Sequence, residues 1–115
     1  MKDDSVYLQH ILECIHRVEG DTSKGKKHFL GSTTHQDAVL RNLQTMSEST
    51  QRVSDSAKAL RPNVEWEKIA AFRNVLVHNY LGIDLEQIWS IVNDDVPALK
   101  QAHSGNHRTE LVDDV

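Results

Sequence analysis

The stretch VEWEKIAAFRNVLVH, residues 64–78, carries an apolar surface that is too broad for a helix with one side in solvent. It follows Pro62, and proline disfavours helix in the residue before it, so a new helix begins after this point. We predict that residues 64–78 form the most buried helix of the chain. The apolar residues that indicate this are Val64, Trp66, Ile69, Ala70, Phe72, Leu76 and Val77.

The N-terminal part of the chain predicts a helix over residues 5–18, where apolar side chains recur at three- and four-residue steps. Asp4 or Ser5 can cap this helix, and Gly20 ends its pattern. A polar, basic connector follows, in which Phe29 anchors a short helical turn.

Two further helices are predicted on either side of residues 64–78. The longest runs from about His35 to Leu60 and is stopped by the proline that follows. The last begins after Asp84, which can cap it, and Pro97 starts a further turn. Because no stretch alternates with the period of a strand, we predict an all-α fold, an antiparallel bundle of four to five helices.

Length and composition indicate one domain, with residues 1–102 helical and residues 103–115 forming a flexible tail. The formal net charge of −4 gives the whole molecule no attraction to nucleic acid or anionic membranes, so an RNA site requires a local basic patch. The single cysteine, Cys14, forms no intramolecular disulfide and is expected to be a buried thiol. The N-terminus lacks the apolar core of a signal peptide, and no apolar run is long enough to span a bilayer, so we predict a cytoplasmic protein.

Arg73, His78 and Tyr80 lie within eight positions of one another. On one straight helix, Arg73 and His78 would be about 140° apart around the axis and about 7.5 Å apart along it. They would meet only if the helix ended near His78, or if a second subunit completed the cleft. A structural interpretation is also open, since histidines at helix ends bond free carbonyls and arginines on buried helices pair with carboxylates.

The string RNVLVHNY matches the R-x-x-x-x-H-x-Y motif of HepT-like toxins, a branch of the HEPN superfamily. The segments YLQHILECIHRV, DAVLRNLQTMSEST, PNVEWEKIAAFRNVLVHNYLGID and IWSIVNDDVPALK extend the resemblance over residues 5–100 in the same order. The resemblance implies an all-helical homodimer with the motif at the subunit cleft. It also implies a type VII toxin–antitoxin system whose toxin cleaves tRNA or mRNA without a metal or other cofactor.

Carried over by position, Arg73 and His78 become the catalytic pair of an endoribonuclease and Asn74 becomes an RNA phosphate contact. Tyr80 becomes the acceptor of AMP, which a minimal nucleotidyltransferase antitoxin (MntA-like) transfers from ATP, so that the partner and not this chain uses the nucleotide. The chemistry is consistent, because RNA supplies its own 2′-hydroxyl nucleophile, histidine exchanges protons near neutral pH and arginine binds phosphate. The alternative is a non-catalytic HEPN module that binds a nucleotide or the nucleotidyltransferase.

The remaining polar residues give weaker signals. The spacing of the seven histidines predicts no metal site, and His28 and His35 are expected at the surface of the connector. Asp94 and Asp95, as neighbours on a helix, point about 100° apart and do not form a paired-carboxylate site. Lysines 24, 26 and 27 are expected to form a solvated loop, or to steer RNA if they lie at a dimer rim.

Overall fold

The structure is a computed structural model that describes residues 4–78 and 82–101. Its helices are α1 (Asp4–Asp21), α2 (Lys26–Leu30), α3 (Thr33–Arg52), α4 (Asp55–Ala59), α5 (Trp66–His78) and α6 (Leu85–Ser90), followed by a π-helical turn (Ile91–Asp95) and helical residues 96–101. No strand occurs in the described ranges, so the predicted all-α fold is confirmed. None of these helices has the length and apolar content that a membrane span requires. The predicted boundary after residue 102 and the tail 103–115 lie outside the described residues.

The core is built between α1 and α3, which pack along each other. On α1 the buried residues are Ile11, Cys14, Ile15 and Val18, spaced as one face of a helix requires. Cys14 is 5% exposed, as expected, and burial raises the pKa of its thiol.

The predicted ends of α1 are wrong by one to three residues. Asp4 is the first described residue of the helix, and its carboxylate accepts hydrogen bonds from the backbone N–H (2.8 Å) and the hydroxyl (2.7 Å) of Ser54. The helix passes through Gly20 to Asp21, after which the Thr22 hydroxyl donates to the Val18 carbonyl at 2.8 Å. Asp4 therefore joins the start of α1 to the start of α4.

The single helix predicted from His35 to Leu60 is wrong, because it is interrupted at Val53. The α3 helix begins after Ser32, whose side chain accepts from the His35 N–H, and at 20 residues it is still the longest described helix. Val53 is extended, and the Ser54 side chain then caps α4 by accepting from the Ala57 N–H at 3.1 Å. Serine caps commonly begin a new helix in this way. Leu60, the predicted end of that helix, is 67% exposed.

The connector contains the predicted short helix, α2. Phe29 is fully buried, and its ring lies 5.7 Å from that of Trp89. Gln36, in the first turn of α3, donates to the carbonyls of Phe29 and Leu30, both at 3.0 Å. These bonds satisfy the C-terminal carbonyls of α2 and fix it against the bundle.

Helix α5 is not the most buried helix of the chain, and this prediction is wrong. Leu76 is its one buried residue, whereas Val75 is 42% and Val77 39% exposed. The broad apolar surface is present, and α5 packs mainly on α3. Another part of that surface, which includes Val75, is not covered by the described residues.

The C-terminal helix is continuous through Pro97, where a further turn was predicted to start. Asp84 caps α6 as predicted, its side chain accepting from the Glu86 N–H at 2.9 Å. Proline removes a backbone donor and clashes with the carbonyl four residues earlier. The wider π-helical turn just before Pro97, in which the Val96 N–H reaches the Ile91 carbonyl, accommodates the ring without ending the helix. Leu99, placed in this turn, is buried.

Candidate functional site

Helix α5 carries both members of the predicted catalytic pair. Arg73 lies in its interior and His78 is its last described residue. Because one helix holds both, the two side chains leave its axis about 140° apart and about 7.5 Å along it. The structure therefore does not bring Arg73 and His78 of one chain together into a common pocket. Tyr80, the third member of the motif, lies outside the described residues.

The guanidinium of Arg73 keeps most of its donors free. Its Nη1 donates to the side-chain carbonyl of Asn74 over a long 3.4 Å, and its Nε is buried with no hydrogen-bond partner among the described residues. No described carboxylate lies within ion-pair distance of Arg73, contrary to the structural interpretation that was open from the sequence. An unsatisfied buried donor costs about 1–3 kcal/mol. Such a group can take an acceptor that the described residues do not supply.

Asn74 is exposed and directs its side-chain oxygen toward Arg73. The bond joins neighbours on α5, so it restricts the Arg73 side chain without linking it to another helix. The same bond leaves the Asn74 amide nitrogen available to solvent.

His78 is exposed and makes no hydrogen bond or ion pair within the described part of the chain. It follows Val75 by three residues and Ala71 by seven, which places it on their side of α5. Arg73 follows Ile69 by four residues and lies on the side next to the core. The imidazole is thus free to act as a proton donor or acceptor toward a group outside the chain.

An apolar groove runs beside this side of α5. It encloses about 570 Å³ between α5 and the helix that contains the π-helical turn. The α5 wall includes Ala71, Phe72 and Val75, and the opposite wall includes Ile88 and Ile91. This groove was not predicted from the sequence. The one feature that indicated it was the apolar breadth of α5, which was interpreted as burial within the same chain.

One cation bridges the rim of the groove. The Lys68 ammonium lies 3.1 Å from an Asp95 carboxylate oxygen and 3.7 Å from one of Glu65. The hydrogen bond to Asp95 is the main cause that raises the pKa of Lys68. Asp95 is therefore paired with Lys68.

The described residues contain no group of three or more metal-ligating side chains. The His28 and His35 rings, expected separately at the surface, are half-buried and meet edge to face with centroids 4.7 Å apart. His35 Nδ1 also lies 2.7 Å from the Ser32 hydroxyl. The pair packs α2 against the start of α3 and lies away from α5 in sequence.

Comparison with known proteins gives one consistent family. The family model described as "Ribonuclease HepT-like" matches residues 11–104. A Thermococcus cleftensis protein named "Probable ribonuclease HepT" is 34% identical over 82% of this chain and 86% of its own length. A Methanocaldococcus jannaschii "Putative RNase" is 32% identical over 87% of this chain and 93% of its own length.

A second M. jannaschii relative is longer. It is named "Gamma-glutamylcyclotransferase and putative RNase" and is 34% identical over 87% of this chain. The matched region covers 46% of that relative, so the chain spans about half of its length. No solved structure matches the chain.

Proposed function

The chain belongs to the HepT-like ribonuclease family of the HEPN superfamily, and we propose that it is a metal-independent endoribonuclease, the toxin of a type VII toxin–antitoxin system. The observation that carries the proposal is the state of Arg73. This guanidinium is partly buried on the motif helix, has no carboxylate partner among the described residues and keeps an unsatisfied Nε–H. A phosphate oxygen of RNA is the acceptor that such a group fits.

The proposed reaction uses the RNA's own 2′-hydroxyl as nucleophile. Its oxygen attacks the adjacent phosphorus, the bond from phosphorus to the 5′-oxygen breaks, and a cyclic phosphate and a 5′-hydroxyl result. His78 accepts the 2′ proton or donates a proton to the leaving oxygen, a role that typically contributes 10²–10⁴-fold. Arg73 stabilises the negative charge that builds on the phosphate oxygens, and Asn74 orients Arg73 or contacts phosphate itself. The second proton transfer falls to the partner's histidine or to water.

A homodimer completes the proposed site. The two side chains diverge on one helix, so Arg73 of one protomer would act with the equivalent of His78 from the other. Val75, which is 42% exposed and lines the groove, supplies part of an apolar surface for this association. A two-fold axis near α5 would place each groove against the same helix of the other protomer.

The proposed toxin is controlled by modification of Tyr80. A minimal nucleotidyltransferase antitoxin, MntA-like, would transfer AMP from ATP to its hydroxyl. Because Tyr80 follows His78 by two residues, the added phosphodiester and base would compete with RNA for the same cleft by charge and by volume.

The test is cleavage of a mixed tRNA and mRNA pool by unmodified protein in EDTA. Arg73→Ala and His78→Ala are expected to lose cutting, with Arg41→Ala and His16→Ala as matched controls because both residues are exposed on other helices. Cutting that survives in either motif variant would refute the assigned pair. No cutting by folded, unmodified wild-type dimer would favour the non-catalytic binding module instead.

A further inference from the structure

A compact basic surface lies at one corner of the bundle, away from the motif. Lys24, Lys26 and Lys27 are exposed there within four positions, at the turn that leads into α2 and in its first residues. We call these three lysines the α2 corner. Its local charge contrasts with the net charge of −4 for the whole chain.

Two of these lysines differ from the other described lysines in having no partner. Lys24 and Lys27 make no ion pair or cation–π contact with any described residue. By contrast, Lys26 pairs with Glu86, Lys58 lies over the ring of Trp66, Lys68 pairs with Asp95 and Lys100 pairs with Glu19. The charges of Lys24 and Lys27 are therefore not neutralised by direct contact with any described carboxylate, and they are available to an anionic partner.

The corner is held rigidly, although it connects two long helices. Gly25 adopts a positive φ of 96°, which turns the chain into α2. Phe29 anchors the helix in the core, and Gln36 fixes its C-terminal carbonyls. The lysine backbones are thus fixed before any ligand binds, which lowers the entropy cost of binding.

The α2 corner also lies against the segment that follows the motif. Lys26 Nζ is 2.7 Å from an Oε2 of Glu86, in the first turn of α6. Glu86 follows His78 by eight positions, so the backbone between them spans at most about 28 Å. A single RNA strand in the motif cleft can extend over that distance.

We infer that the α2 corner is a second RNA-binding subsite, where Lys24 and Lys27 bind backbone phosphates of the strand that His78 and Arg73 cleave. The inference rests on the proposed function. Lysine ammonium groups bind phosphate as point charges without reading sequence, so the subsite would add affinity and position the strand. Lys26, already paired with Glu86, contributes less.

The test compares RNA affinity after removing these two charges. Lys24→Gln/Lys27→Gln and a control, Lys58→Gln/Lys100→Gln, lower the net charge equally and are both made in a His78→Ala background that leaves the probe intact. The probe is a 5′-fluorescein-labelled single-stranded RNA of about 20 nucleotides in EDTA, longer than most single-strand site sizes. Anisotropy gives Kd from low to high salt, and circular dichroism verifies folding.

Each phosphate contact on a single strand contributes roughly 0.7 to the magnitude of the slope of log K against log salt. Losing two contacts should therefore lower that magnitude by about 1.4. The Kd should then rise about 25-fold at 0.1 M salt and converge with that of the parent near 1 M. The control should change the slope by much less. In the His78-intact protein, kcat at saturating RNA should stay unchanged while KM rises.

Equal slopes for the α2-corner variant and its parent, or equal losses in both double variants, would overturn the inference alone. The inference would also be overturned if the α2-corner variant kept its RNA affinity but lost binding to a nucleotidyltransferase partner. If the parent neither binds this RNA nor, with His78 intact, cuts RNA, the proposed function fails and the inference fails with it.

Discussion

Two engineered heterodimers can decide whether the catalytic site is shared between protomers. Arg73 and His78 leave α5 about 140° apart, so the proposed site pairs each arginine with the histidine of the other protomer. A heterodimer of one Arg73→Ala protomer and one His78→Ala protomer then holds one intact site, because the unaltered arginine and histidine face each other. Its other site lacks both groups.

The expected activity follows from counting sites in a two-fold dimer. A heterodimer purified through two different affinity tags should show about half of the wild-type kcat per dimer. The His78→Ala homodimer should fall by about 10²–10⁴-fold, as loss of a general acid–base group typically does. The Arg73→Ala homodimer should fall by about 10²–10³-fold, as loss of a charge-stabilising donor does. The restored activity is therefore far above the background of either parent.

A second heterodimer gives the opposite expectation and serves as the control. One protomer carries Arg73→Ala and His78→Ala together, and the other is wild type. A shared site predicts no activity above the parent background, because both clefts lack one group. A site within one chain predicts about half activity here and none in the first heterodimer. That inverted pattern, measured on fluorogenic RNA, would refute the shared site.

Four further outcomes are expected. Val75→Asp should convert dimer to monomer by light scattering, whereas the more exposed control Leu60→Asp should not; an unchanged dimer would place the interface elsewhere. Phe29→Ala should lower the free energy of unfolding in urea by about 3–5 kcal/mol, and a loss below 1 kcal/mol would mean that α2 is not anchored by this ring. Because burial raises the pKa of Cys14, its thiol stays protonated above its ordinary pH range and should react with a disulfide reagent at pH 8 only after denaturation; rapid native labelling would contradict this. Tyr80→Phe should retain RNA cleavage but take up no radiolabel from α-labelled ATP with the nucleotidyltransferase; labelling elsewhere would reject Tyr80 as the acceptor.

The parts of the fold that depend on local spacing could be predicted from the sequence. Ile11, Ile15 and Val18 recur on one helical face, and all three are fully buried. Phe29 is an isolated aromatic residue in a polar connector, so its burial in the core could be predicted. Asp84 stands before an apolar run, where a capping side chain is favoured.

The boundaries that failed depend on competition between local signals. Ser54 was read as part of a long helix, but its hydroxyl caps α4 and also donates to Asp4, fifty residues earlier in the chain. A contact between residues so far apart in the chain produces no periodic pattern in the sequence from which it could be predicted. At Pro97, where a separate turn was predicted to start, the helix continues, because the π-helical turn before it makes room for the ring.

The roles of Arg73 and His78 stay predictions. The resemblance to the HepT-like motif selected the two residues, and helical geometry already indicated that one straight helix would hold them apart. Whether Arg73 pairs with a carboxylate depends on distant side chains, which spacing cannot reveal. Likewise, apolar residues on several sides of α5 indicate surface to be covered, but they do not say whether the same chain covers it.

Assembly and cleavage are linked in the proposed dimer because one helix serves both. Val75 lies between Arg73 and His78 on α5 and lines the apolar groove, so the proposed dimer surface and the proposed catalytic pair share that helix. In the proposed dimer, dilution below the dissociation constant would remove activity as the square of protomer concentration, while a site within one chain would lose none per protomer. In this proposal the apolar breadth of residues 64–78 would serve assembly of the site as well as packing on α3.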